Sequence, residues 1–144
     1  SFKGLRHRCE VVLDRGSVLW VNDSKGTNPA ATVAALQGMV RPVVLIAGGQ
    51  SKGADFSMLA RAVKRYARQV VLIGEDRDRI ADSLGQSVPV TPADSLQDAV
   101  SLAVIWAQPG DVVLFSPACA SFDMFEDYAD RGDQFHRLVT ETLE

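Results

Sequence analysis

The sequence predicts a three-layer α/β fold, in which a mainly parallel β-sheet carries helices on both faces and starts with a β-hairpin. Three observations lead to this prediction. Short apolar runs alternate with segments of helical periodicity. Several of the runs are continuously apolar, as in strands buried on both faces. The sequence contains no linker, internal repeat or low-complexity segment. A chain of 144 residues is long enough to bury a sizeable core, so we expect one domain over 1–144.

The N-terminal hairpin is predicted from two β-rich runs, 9–14 and 17–23, that flank an Arg-Gly pair. A helix is predicted next, over 29–39. Asn28 can cap this helix, and Pro29 takes the first helical position, where its missing N–H costs nothing.

The middle of the chain continues the alternation. The apolar run at 42–48 predicts a strand buried on both faces. A helix over 55–67 follows, because basic residues lie on one side of it and an apolar stripe on the other. The stripe consists of Phe56, Leu59, Ala60, Val63 and Ala67. The next strand is predicted at 69–74 and the next helix, short and polar, at 76–84.

The last third of the chain completes the pattern. A weak strand is predicted at 87–91, and its proline favours the edge of the sheet. An amphipathic helix over 95–107, a buried strand at 111–116 and a closing helix over 133–143 follow. Strand–helix alternation of this kind predicts a Rossmann-like sheet.

Polar loops follow three of the predicted strands, at 21–29, 48–56 and 116–123. In open α/β sheets the carboxyl ends of parallel strands meet at one edge, where ligands bind, so we expect the three loops to lie together. Each leads toward a helix, and a helix N-terminus favours anions. The two remaining strand-end loops, "GEDRD" and "TPADS", are interpreted as ordinary caps and turns.

The polar loops contain the residue types that bind a small polyanion. Lys25 and Lys52 supply positive charge beside glycines, and four hydroxyl groups supply further donors. These hydroxyls belong to Ser24, Thr27, Ser51 and Ser121. The sequence therefore predicts a pocket for a small anion with two carboxylates.

For each of these residues an ordinary structural role remains an alternative to ligand binding. A lysine in a surface loop is usually solvated, Asn22 and Asp23 are typical turn residues, and Ser121 is also a candidate cap for a helix that begins at Phe122. Cys119 is interpreted as a small buried residue rather than a nucleophile.

Several classes of site are excluded by the motifs. In a P-loop the lysine follows a glycine and precedes Ser or Thr, whereas Lys52 precedes Gly53 and Ala54. The dinucleotide fingerprint and metal-ligand spacing are also missing from the sequence. We therefore predict no catalytic residue and no metal ligand in this domain alone.

The composition of the chain bears on which classes of partner it can bind and on where it is located. Apolar residues make up 47% of the chain and the net charge is −3, which gives no electrostatic reason to expect nucleic acid. No apolar run is long enough to insert into a membrane. Two cysteines without a shared motif favour a reduced, cytoplasmic location. The chain begins with Ser1 rather than Met, so we expect it to be a piece of a longer protein.

Four stretches carry a more specific pattern. They are "GLRHRCEVV", "WVNDSKGTNPAATVAAL", "LIAGGQSKGADFSML" and "QPGDVVLFSPACASFDMFEDYADRGDQFHRLV". Together they resemble the C-terminal domain of the Mur ligases that add D-glutamate in peptidoglycan synthesis. The resemblance runs from about residue 2 to the end and is weaker over 74–95.

The resemblance implies an activity for a longer, three-domain enzyme. ATP phosphorylates the carboxylate of UDP-N-acetylmuramoyl-L-alanine, and the amine of D-glutamate attacks the acyl phosphate. A tetrahedral intermediate then gives an amide and phosphate. The cofactors are ATP and Mg²⁺, bound mostly by a central P-loop domain that this chain lacks, so the isolated domain is expected to be inactive.

The resemblance also assigns residues. The positions matched to D-glutamate binding are Lys52, Thr27, Ser121, Lys25 and Tyr128. The positions matched to ATP contacts are Arg8, Asp23, Asn22 and His7. Two positions depart from the family pattern, since Tyr128 replaces a phenylalanine and Gln50 replaces an acidic residue. The alternative function is a stand-alone α/β module that binds a small anion without catalysis.

Overall fold

A computed structural model describes residues 6–143 as a six-stranded sheet between two helical layers. The strands are β1 (Glu10–Arg15), β2 (Val18–Asn22), β3 (Val43–Gly48), β4 (Ala67–Ile73), β5 (Val90–Pro92) and β6 (Val112–Phe115). The helices are α1 (Pro29–Gly38), α2 (Ser57–Tyr66), α3 (Arg77–Leu84), α4 (Leu96–Trp106) and α5 (Tyr128–Leu143). Residues 1–5 and 144, which the domain prediction includes, lie outside the described residues.

The sheet has the order β1-β2-β6-β3-β4-β5. β1 pairs with β2 in the predicted antiparallel hairpin, and every other neighbouring pair is parallel. β5 lies at one edge of the sheet, as expected for the weak strand, but it covers Val90–Pro92 and not 87–91, so the proline on which that prediction rested, Pro89, lies just before the strand. The predicted α/β class, the mainly parallel sheet and the hairpin are therefore confirmed.

Two cores flank the sheet because alternate residues of each central strand point to opposite faces. Leu45 of β3 packs with residues of α1, α2 and α3, whereas its neighbour Ile46 packs with residues of α4 and α5. All six residues of β3 are buried. The continuous apolar run in the sequence follows from this burial on both faces.

The predicted boundary between α2 and β4 was wrong at Ala67. This residue adopts an extended conformation, with φ −94° and ψ 142°, and its N–H donates to the carbonyl of Val63 to close the helix. Ala67 is already the first residue of β4 and pairs with Val43. The strand starts without a connecting loop, so Ala67 is not part of the apolar helical stripe.

The closing helix begins at Tyr128, five residues before the predicted start at 133. Gly132 lies inside it, and glycine inside a helix ordinarily signals a helix end. Here the reason for glycine is space, because a Cβ at this position would overlap the imidazole ring of His7.

We expect Gly132→Ala to destabilise the domain by about 1–3 kcal/mol, because the rigid buried ring of His7 must move to admit a methyl group. Urea unfolding of the chain measures the change. Gly38→Ala is the matched control, since it lies at the end of α1 with no atom within 4 Å of the added Cβ and should be neutral or stabilising. Equal effects of the two substitutions would contradict the close contact.

No helix among residues 6–143 combines the length and the apolar character needed to span a membrane.

Candidate functional site

The three polar loops lie at one edge of the sheet, as predicted. They follow β2, β6 and β3, which are adjacent parallel strands. We refer to residues 23–28 as the first loop, 49–56 as the second loop and 116–127 as the third loop. The strand order, which the sequence did not give, places the third loop between the other two.

Backbone hydrogen bonds join the three loops to one another. Gln50 and Ala120 exchange two bonds, with N···O distances of 3.1 and 3.2 Å, and so connect the second loop to the third. The N–H of Ala118 donates to the carbonyl of Gly26 at 2.8 Å and connects the third loop to the first. The loops therefore form one continuous surface.

Both candidate lysines are exposed on this surface, and each lies beside an aromatic ring. The Lys25 Nζ atom is 5.6 Å from the centroid of the Tyr128 ring. The Lys52 Nζ atom is 5.5 Å from the centroid of Phe122, whose side chain is 64% exposed. Cation–π attraction of this kind restrains a lysine head group while leaving its N–H donors available.

Two of the four candidate hydroxyls are used inside the protein. The Ser24 hydroxyl donates to the carbonyl of Tyr128 at 2.7 Å, and the Ser51 hydroxyl donates to Asp76 Oδ2 at 2.7 Å. The prediction that these two serines donate to a ligand was therefore wrong, because each hydroxyl has a single proton.

The other two candidate hydroxyls have different settings. Thr27 is exposed in the first loop, and Ser121 is buried in the third. The carbonyl of Ser121 accepts hydrogen bonds from the N–H groups of Met124 and Phe125. The alternative that Ser121 caps a helix beginning at Phe122 was wrong, since the chain forms turns there.

A cleft of about 330 Å³ lies beside the first loop. Arg8 and Asp23, two of the candidate ATP contacts, line it together with Lys25 and small alanine side chains of α1. The other two candidate ATP contacts, Asn22 and His7, do not line the cleft. The side-chain amide of Asn22 donates to His7 Nδ1 and to the carbonyl of Gly132, both at 3.1 Å, and both Asn22 and His7 are buried.

Asp23 is a buried carboxylate at the base of this cleft. Its Oδ2 atom accepts from the Ser116 hydroxyl at 2.7 Å, and its Oδ1 atom accepts from the N–H of Cys9 at 3.1 Å. Burial raises the pKa of Asp23 above its ordinary value of 3.8, and these hydrogen bonds offset only part of the effect.

Asp23→Asn is therefore expected to raise the unfolding temperature of the chain at pH 7. An acid whose pKa is raised on folding destabilises the native state progressively as the pH rises above the pKa of the unfolded chain, which is near 3.8. The gain from Asp23→Asn should therefore disappear below about pH 4. Thermal unfolding at both pH values measures it. Asp82→Asn, which removes an exposed carboxylate of α3, controls for net charge. A lower unfolding temperature for Asp23→Asn at pH 7 would contradict the cost of burial.

Arg131 is a central residue of the site that the sequence analysis missed. Its side chain is 1% exposed, and burial lowers the pKa of its guanidinium to about 10. The Nε and Nη2 atoms donate to the hydroxyl and carbonyl of Ser24 at 3.0 and 2.7 Å, and Nη1 donates to the carbonyl of Cys119 at 3.0 Å. A signal was present, because Arg131, Phe135 and Val139 share the buried face of α5.

The "GEDRD" loop after β4 is not the ordinary cap that the sequence suggested. Asp76 makes no side-chain hydrogen bond to its own helix, α3. Its carboxylate instead accepts from the backbone N–H and the hydroxyl of Ser51, and Arg79 donates to the same hydroxyl. A fourth loop thus supports the second one.

The two cysteines are unreactive thiols. Neither forms a disulfide, and burial raises the pKa of Cys9 to about 11 and that of Cys119 to about 12. The interpretation of Cys119 as a buried small residue agrees with its 1% exposure.

Comparison with known proteins gives consistent matches. A family model described as "Mur ligase, glutamate ligase domain" matches residues 7–119. The UDP-N-acetylmuramoylalanine--D-glutamate ligase of Marinobacter nauticus is 57% identical over 141 residues, which cover 96% of this chain and 32% of that protein. The chain thus spans about a third of the length of the curated relatives it matches.

Solved structures share the fold. A murein peptide ligase from Psychrobacter arcticus has a TM-score of 0.69 at 15% identity, over 99% of this chain and 31% of that one. The MurF ligase from Thermotoga maritima, in complex with ADP, has a TM-score of 0.62 at 18% identity, over 99% of this chain and 32% of that one. At such identities the likeness concerns architecture alone.

Proposed function

The chain belongs to the Mur ligase family, and on this premise we propose that it is the D-glutamate-binding domain of an ATP-dependent ligase. The complete enzyme would join D-glutamate to UDP-N-acetylmuramoyl-L-alanine in the cytoplasm, as a step of peptidoglycan synthesis. The relatives named for this reaction are about three times longer than the chain, so the domain is proposed to act only together with the remainder of the enzyme.

One observation carries the proposal, which is that two exposed lysines, Lys25 and Lys52, lie on the surface formed by the three loops. D-Glutamate has two carboxylates and one amine. Lys52, Thr27 and Ser121 are proposed to bind the carboxylates, with Lys25 and Tyr128 beside them. Each charge-assisted hydrogen bond contributes about 1.5–3 kcal/mol, so a few of them suffice to orient a small dianion.

The proposed contribution to ATP binding is partial. The cleft beside the first loop is lined by the cationic side chains of Arg8 and Lys25, by the carboxylate of Asp23 and by small side chains of α1, and this lining suits part of a nucleotide. Asn22 and His7 are proposed to support this cleft from behind. Most contacts to ATP and Mg²⁺ are assigned to the central domain, which would supply the acyl phosphate.

The role of this chain in the reaction would be positioning. By holding the carboxylates at the edge of the sheet, the loops leave the amine of D-glutamate free to face the acyl phosphate in the adjoining domain. Converting a bimolecular attack into one between oriented groups is a major source of rate enhancement. Tyr128 and Gln50, which depart from the family pattern, are not among the residues proposed to bind the carboxylates directly.

The test is an assay of the full-length protein that contains this chain. We expect D-glutamate, UDP-N-acetylmuramoyl-L-alanine, ATP and Mg²⁺ together to yield the amide product by mass spectrometry and one phosphate per product. L-Glutamate is the matched control and should yield none. The alternative function, a stand-alone anion-binding module, predicts no product with any amino acid, and that result would overturn the proposal.

A further inference from the structure

The backbone of Lys52 is in an unfavourable conformation that other residues must maintain. Lys52 and Gly53 have φ angles of +49° and +73°, and the N–H of Ala54 donates to the carbonyl of Ser51 at 2.9 Å. These features define a tight turn over 51–54 with φ angles of the type I′ class, in which Gly, Asn or Asp is preferred at both central positions. A lysine in the left-handed region is disfavoured by its own Cβ atom.

Both ends of this turn are held by side chains at the start of α3, namely Asp76, which immediately precedes the helix, and Arg79 within it. Asp76 Oδ2 accepts from the backbone N–H and from the hydroxyl of Ser51, each at 2.7 Å. Arg79 donates to the Ser51 hydroxyl at 2.8 Å and to the carbonyl of Ala54 at 3.3 Å. The residues on either side of the Lys52–Gly53 pair are therefore fixed by side chains from outside the loop.

The hydrogen bonds between Asp76 and Ser51 are not a consequence of helix capping by Asp76. An aspartate at a helix N-cap ordinarily accepts hydrogen bonds from the first turn of its own helix. The carboxylate of Asp76 makes no such bond, although its own N–H donates to the carbonyl of Gly49 at 3.1 Å. The side chain is turned toward the second loop, and the bonds from Ser51 hold its pKa below the ordinary value, so it is ionised at neutral pH.

We propose that Asp76, assisted by Arg79, is a positioning residue that holds the 51–54 turn in the conformation from which Lys52 reaches the ligand. Asp76 itself does not contact the ligand. This inference rests on the proposed function, because it takes Lys52 as a carboxylate-binding residue. It extends the site to a fourth strand-end loop, the one after β4.

The kinetic test compares Asp76→Ala, Asp76→Asn and Asp78→Ala in the full-length enzyme. Asp76→Ala is expected to raise the KM for D-glutamate by about 10- to 100-fold, with kcat at saturating D-glutamate and the KM for the nucleotide sugar nearly unchanged. Asp76→Asn should recover most of the loss, since one amide oxygen can accept both bonds from Ser51. Asp78→Ala removes an exposed acid of the same helical turn and should behave as wild type.

The structural test uses hydrogen exchange and does not depend on activity. In Asp76→Ala the N–H groups of Ser51 and Ala54 should exchange at least about tenfold faster, with unchanged rates in the central strand β3. An inactive wild-type enzyme would refute the proposed function, while the exchange rates would still report on the turn. An active wild type, with an unchanged KM in Asp76→Ala or with Asp76→Asn as impaired as Asp76→Ala, would overturn the positioning role.

Discussion

Replacing Lys52 with alanine in the full-length enzyme is expected to raise the KM for D-glutamate by about 10- to 150-fold and to remove most activity at ordinary substrate concentrations. Loss of one charge-assisted hydrogen bond costs about 1.5–3 kcal/mol, and each 1.4 kcal/mol corresponds to a factor of ten. The measurement is the steady-state rate against D-glutamate concentration, with ATP and the nucleotide sugar saturating.

Lys64→Ala is the matched control for this substitution. Lys64 is an exposed lysine of α2, outside the three loops, and its removal changes the net charge equally. The KM for ATP should stay constant in both variants, because Lys52 lies outside the cleft that Arg8 and Asp23 line. Unchanged kinetics in Lys52→Ala would refute the assignment of this residue to D-glutamate.

Arg131→Ala is expected to lower the free energy of unfolding of the chain by about 2–5 kcal/mol. The substitution leaves the carbonyls of Ser24 and Cys119 without their donors, at about 1–3 kcal/mol for each buried group, and it creates a cavity beneath the Phe115 ring. Urea unfolding followed by the fluorescence of the buried Trp20 measures the change.

Arg137→Ala is the control within the same helix. Arg137 is exposed, and its contact with Glu141 spans 4.0 Å, so its loss should change stability by less than about 0.5 kcal/mol. Arg131→Lys should rescue little, since an ammonium group cannot reproduce three bonds in a planar fork. If Arg131→Ala were as stable as Arg137→Ala, the loops would not depend on the buried guanidinium.

The fold was predictable because its signals are local. The apolar run of β3 identified a strand buried on both faces, and Asn28 does cap α1, accepting from the N–H of Ala31 at 2.9 Å. The start of α5 was missed for the opposite reason. The contact of Gly132 with His7 joins residues 125 positions apart, which no local pattern reports.

The site was predictable only in part, because some of its features have local signals in the sequence and others depend on long-range contacts. Parallel strands bring their carboxyl ends to one edge, so the three loops were identified from the chain alone. What the side chains do there depends on long-range partners. The sequence suggested Ser24 and Ser51 as ligand donors, but in the fold their hydroxyls donate hydrogen bonds to the carbonyl of Tyr128 and the carboxylate of Asp76. The guanidinium of Arg131 reaches Ser24 across 107 residues.

A crystal structure of the full-length enzyme with D-glutamate tests the central claim most directly. We expect its two carboxylates to lie within hydrogen-bond distance of Lys52 Nζ and of the hydroxyls of Thr27 and Ser121, with the amine pointing away from the sheet. D-Glutamate bound outside the surface formed by the three loops would contradict the account.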